Sequence, residues 1–84
     1  MKADVLAFLK SKLNRTIQIT TTEQETLVAI VRVVDEEERY VILDLLSTNQ
    51  PERYERMGRP VQATYLLPFE FIESVQELPR GLGS

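Results

Sequence analysis

Thr26-Leu27-Val28-Ala29-Ile30-Val31-Arg32-Val33-Val34 is the stretch that decides the fold. It is rich in β-branched residues and long for a strand. Period-2 alternation puts Leu27, Ala29, Val31 and Val33 on one face and Val28, Ile30, Arg32 and Val34 on the other. A strand with one apolar face needs a single packed layer; with both faces largely apolar, this one reads as a central strand that bends and serves more than one layer.

Working outward, the polar run Thr22-Glu23-Gln24-Glu25 turns the chain before this strand. Upstream of it, Thr16-Ile17-Gln18-Ile19-Thr20-Thr21 alternates as a half-buried strand does. Asp35-Glu36-Glu37-Glu38 makes the turn after it, and residues 39–46 form a third strand in which Tyr40, Ile42 and Asp44 alternate against Val41, Leu43 and Leu45. Residues 61–67 read as a fourth strand and residues 72–78 as a fifth. Pro68, which cannot donate a ladder hydrogen bond, opens a tight corner or single helical turn over residues 68–71. Ahead of the strands, Val5, Leu6, Phe8, Leu9 and Leu13 recur at helical spacing over residues 4–13. Asp4 near the start and Lys10 and Lys12 near the end suit the helix dipole, and Asn14 suits a terminator. The expected architecture is mostly β: an N-terminal α-helix followed by a five-stranded, strongly bent antiparallel sheet, an open barrel. Residues 1–78 make one domain and residues 79–84 a flexible tail.

Composition narrows the chemistry. With 84 residues, 43% hydrophobic and 27% charged, the chain has the composition of a globular protein, and at this size it buries only roughly 60–65% of its unfolded surface, so self-association would add stability. No stretch reaches the ~18 apolar residues of a membrane span. The start of the chain does not resemble a signal peptide, so a cytoplasmic location is expected. Cysteine and histidine are both absent, which removes disulfides, thiolate nucleophiles, the commonest general base and the commonest transition-metal ligands. Catalysis is the least supported class, and no cofactor or metal is expected. A net charge of -3 argues against strong nonspecific nucleic-acid binding.

One segment, residues 47–60, breaks the strand pattern with Arg53, Arg56 and Arg59 interleaved with Glu52, Tyr54, Glu55 and Met57. Arginine beside an aromatic suits a phosphate or a stacked base, and both types are enriched at protein-binding hot spots. The spacing of three would align the arginines on a helical turn. The competing reading is an exposed loop in which Glu52 and Glu55 pair with them. Lys10, Lys12 and Arg15, together with Lys2, form a second candidate basic patch, which ordinary solubilising charge also explains. The acidic turn at 35–38 lacks the alternate oxygens and glycine of a cation cage and reads as a solvated hairpin tip. Tyr65, Leu67, Phe69, Phe71, Ile72 and Val75 are candidates for core or intersubunit packing. Asp44, costly if buried alone, is expected to face solvent or an arginine.

The order of elements resembles the Sm-like family, a set of SH3-like small barrels, over about residues 8–75. Residues 13–19 are similar to its first strand, residues 26–35 to its bent second, residues 39–44 to its third, and Tyr65-Leu66-Leu67-Pro68-Phe69-Glu70-Phe71-Ile72-Glu73-Ser74-Val75 to its last two strands and their connection. The segment at 47–60 falls where the family carries its variable loop. In that family the fourth strand of one subunit pairs with the fifth of the next, so the resemblance implies a homo-oligomeric ring, with single-stranded RNA as one partner and a protein as the alternative. Ala29 stands where the second strand usually has glycine. Tyr40 stands where asparagine is usual, and Pro68-Phe69 where an Arg-Gly pair is expected. The departures at Tyr40 and Pro68-Phe69 fall on the family's uridine pocket, which is therefore not carried over.

Overall fold

A computed structural model describes residues 1–78; the expected tail at 79–84 lies outside the described residues. Helix α1 (Ala3–Ser11) leads into strands β1 (Thr16–Thr21), β2 (Thr26–Asp35) and β3 (Tyr40–Thr48), a short helix α2 (Pro51–Arg56), strand β4 (Thr64–Pro68), one 3-10 turn (Phe69–Phe71) and strand β5 (Ile72–Glu77). The protein is mostly β. Its five strands form one antiparallel sheet of order β4-β3-β2-β1-β5, and the sheet is not closed.

Alternation explains the core. Ile17 and Ile19 of β1, Leu27, Ala29 and Val31 of β2, and Val41, Leu43 and Leu45 of β3 are buried on one face. Leu9 of α1 closes this layer on one side, and Phe69 and Ile72 close it at the corner. The bend of the β2–β3 pair has a local cause: the register slips opposite Val28 and Ala29, where Leu46 of β3 is the extra residue, and again between Val31 and Val33, where Arg32 of β2 is. Each slip is a bulge, which leaves a residue unpaired and increases strand curvature. The second one also changes the parity of the strand. Val33, expected on the face of Val31, is 42% exposed, and Val34 packs against the core in its place.

Other boundaries differ from the sequence expectation for identifiable reasons. Arg39 has φ +63° and belongs to the turn, so β3 begins at Tyr40 and runs on to Thr48. The helix expected over residues 4–13 stops at Ser11, and Asn14, at φ +62°, takes the left-handed conformation that asparagine tolerates. The fourth strand starts at Thr64, three residues later than expected. Part of residues 47–60, expected as a projecting loop, is helix α2 folded onto the domain.

Candidate functional site

Period-2 alternation continues past both ends of the β1–β2 turn. Extending it from Ile17 and Ile19 puts Thr21 inward, and extending it back from Leu27 does the same for Glu25. Both are buried, Glu25 with 4% of its surface exposed. The turn is held by backbone bonds from Thr21 N–H to Glu25 O and from Gln24 N–H to Thr21 O, and by the Thr21 hydroxyl, which accepts from the backbone N–H of Glu23 and of Glu25 at 3.3 and 3.2 Å. A buried carboxylate is tolerable only when its oxygens are matched by donors. Three side chains supply them: Arg53 Nη1 donates to Glu25 Oε1 at 2.7 Å, and the hydroxyls of Tyr54 and Thr48 donate to Oε2 at 2.9 and 2.5 Å.

Glu25 thereby anchors α2, which has no buried residue of its own. The helix has clear punctuation. Pro51 occupies its first turn, where a missing N–H is harmless. Gly58 ends it at φ +68°, with Gly58 N–H bonded to Glu55 O at 3.0 Å and Arg59 N–H to Tyr54 O at 2.9 Å, the paired bonds of a Schellman cap. The Tyr54 ring meets Tyr65 edge to face at 5.6 Å between centroids. Burial raises the Tyr54 phenol well above its ordinary pKa, reinforced by the hydrogen bond to Glu25 and its charge. Tyr65 in turn donates its hydroxyl to the carbonyl of Pro60, fixing the return of the chain into β4.

Where α2 lies beside β4, two clefts of about 250 and 200 Å³ adjoin, sharing Thr21, Glu25, Arg53, Leu66 and Leu67. The larger opens toward Glu23, Pro68 and Phe71, the smaller toward Met57, Arg59 and the core leucines Leu27, Leu43 and Leu45. Large apolar side chains are exposed around them: Leu66 and Met57 at 56% each and Phe71 at 40%.

Beside the clefts runs the open edge of β4. The bond from Leu45 N–H to Ala63 O at 2.9 Å, together with the pairs Leu43–Tyr65 and Val41–Leu67, sets the phase of the ladder. Ala63, Tyr65 and Leu67 face β3 with their backbone groups, so those of Thr64 and Leu66 point to the free edge. Pro68 falls in the same phase and ends that edge without a donor.

The residues singled out from sequence separate into groups. Arg53 and Tyr54 are engaged with Glu25, and Arg53 also reaches Glu23 at 3.4 Å. The expected partners Glu52 and Glu55 are not the ones used, because the deeper carboxylate lies across the turn. Arg56 and Arg59 are exposed and make no ion pair among the described residues. Lys10 pairs with Glu36 at 3.0 Å, and Lys12 pairs with Glu77 while lying 5.5 Å above the Phe8 ring. Of that basic set Lys2 and Arg15 stand exposed without an ion pair among the described residues. Phe69 and Ile72 are core residues, and Tyr65, Leu67 and Val75 are half-buried against the core; Phe71 is the exposed member of that group. Asp44 meets an arginine as expected: Arg32 Nε donates to it at 2.7 Å and Thr64 Oγ1 at 2.6 Å, and these bonds hold its carboxyl below the usual range, the threonine bond contributing most.

Among the described residues no cluster of acidic side chains has metal-holding geometry, and no helix is long and apolar enough to cross a membrane. No family model, curated protein or solved structure matches the chain.

Proposed function

We propose that this protein is a noncatalytic binding module that works by strand addition, pairing an extended segment of another polypeptide with the free edge of β4. One observation carries this reading. The edge where Thr64 and Leu66 offer backbone donors and acceptors lies beside clefts ringed by exposed Leu66, Met57 and Phe71. Backbone pairing supplies affinity in such an arrangement and side-chain clefts supply selectivity. Isotope-edited NMR with short extended peptides tests it: amide shifts concentrated on residues 64–67 are expected, and shifts scattered over the surface, or none, overturn it.

A second reading follows from the sheet having two open edges, β4 and β5, at opposite ends of its strand order. Copies joined β4 to β5 would form a homo-oligomeric ring of the Sm-like kind, with RNA as a partner of the exposed Arg15, Arg56 and Arg59. Light scattering on the native protein, with absorbance to detect copurified RNA, separates the readings. A mass of several protomers supports the ring, and a monomer at micromolar concentration removes it.

A further inference from the structure

We infer that the segment received by β4 comes from a different protein, and that it presents an aliphatic side chain with a carboxylate one or two residues away. This rests on the strand-addition reading and names the chemistry of its partner. The smaller cleft, about 200 Å³, has Leu27, Leu43 and Leu45 in its lining and Met57 at its mouth, an environment for an aliphatic group. Its charges do not cancel. Glu25 is matched by Arg53 at 2.7 Å, which leaves Arg59 on the lining with no ion pair among the described residues. An arginine beside a partly desolvated cleft favours a carboxylate on the incoming chain.

A second copy of this chain does not supply that combination from either of its open edges: on β4, exposed Leu66 has no acidic residue within two positions. On β5, Ile72 and Val75 turn to the core, leaving Glu73, Ser74 and Gln76 exposed, and the half-buried Leu78 just beyond the strand adjoins a Glu77 already held by Lys12. A free small molecule would leave the backbone groups of Thr64 and Leu66 without their match. Pro68 closes the edge, so the paired segment is short.

The experiment titrates the intact chain with the blocked peptide Thr-Val-Leu-Asp-Val-Thr, followed by amide shifts. Saturable shifts on β4 and α2 are expected. Serine in place of the leucine weakens binding about tenfold or more, as the loss of one buried aliphatic side chain requires. Lysine in place of the aspartate weakens it about threefold, the scale of a rim charge. Arg59→Glu, at an exposed position, reverses the preference between the aspartate and lysine peptides while leaving the free spectrum of the sheet unchanged. Equal affinity for all three peptides overturns this inference while the strand-addition reading stands. Shifts at β5, or no shifts, overturn both. Concentration-dependent shifts on β4 without peptide assign the site to a second copy and overturn the inference.

Discussion

The edge at β4 runs past exposed Leu66, with Met57 and Phe71 nearby and clefts beside it, whereas the edge at β5 exposes Glu73, Ser74, Gln76 and Glu77. Helix α1 also packs against β5, and Lys12 from its C-terminal end pairs with Glu77. Acidic side chains and a covering helix are the usual means by which a protein keeps a sheet edge from pairing indiscriminately. The same sheet therefore ends in one guarded edge and one supplied with apolar contacts. Openness alone does not make a binding site; the neighbouring side chains decide whether an unpaired ladder recruits a partner.

The largest effect on this contrast comes from removing what holds α2 beside β4. Glu25→Ala leaves Arg53, Tyr54 and Thr48 without their shared acceptor. Breaking a buried pair costs ~3–5 kcal/mol, and because Arg53 is about one-third exposed a loss of about 2–3 kcal/mol is expected after allowing for solvent screening. Denaturant unfolding measures it. Hydrogen exchange should show lost protection at residues 53–59 with little change along β5. Equal loss at both edges would mean that α2 does not act on β4 in particular.

Next in size is a matched pair of edge substitutions. Leu66→Lys is expected to weaken peptide binding by about tenfold, with stability changed by no more than about 0.5 kcal/mol because the side chain is largely exposed. Ser74→Lys on β5 should leave peptide binding unaltered. If Ser74→Lys instead disperses a native oligomer, the ring reading gains and the asymmetry between the edges loses its meaning.

A smaller, pH-dependent effect concerns how β4 is attached. Asp44, held by Thr64 and Arg32, has a lowered pKa in the folded state. Its stabilisation is present above the ordinary aspartate value of about 4 and is lost as pH falls through the lowered value. Glu77 at the other edge is lowered in the same direction by its bond to Lys12. Asp44→Asn should flatten the acid side of the melting-temperature profile and selectively speed exchange in β4; an unchanged profile would separate Asp44 from the stability of that edge.

The unequal edges also explain what was legible in the sequence. Strands with strict alternation around an apolar core, such as Thr16–Thr21, were readable to the residue. The parity change at Val33 was not, because a bulge depends on the pairing partner rather than on the strand's own pattern. Helix α2 is polar and only six residues long, so it has no apolar stripe to read. Its signals were Pro51 and Gly58 at its ends and the three-residue spacing of its arginines. Glu25 was assigned to a polar turn by composition, although alternation from Leu27 points it inward. Its three donors lie 23 to 29 positions away, and no local pattern encodes such a meeting.

The smallest prediction tests whether turn strain can be relieved without touching either edge. Gln24 and Arg39 are non-glycine residues at φ +65° and +63°. A left-handed conformation costs such a residue roughly 1–2 kcal/mol, part of which glycine returns as unfolded-chain entropy. Gln24 is exposed and its side chain makes no hydrogen bond among the described residues, so Gln24→Gly should stabilise the fold by about 0.5–1 kcal/mol. Arg39→Gly relieves similar strain but removes a guanidinium lying 5.7 Å from the Phe69 ring, a contact worth about 0.5–1 kcal/mol at an exposed site, so its net effect should be near zero. Equal gains from both substitutions would show that the arginine contributes nothing to the Phe69 corner from which β5 departs. A gain from Gln24→Gly alone ties that corner to the cation above it.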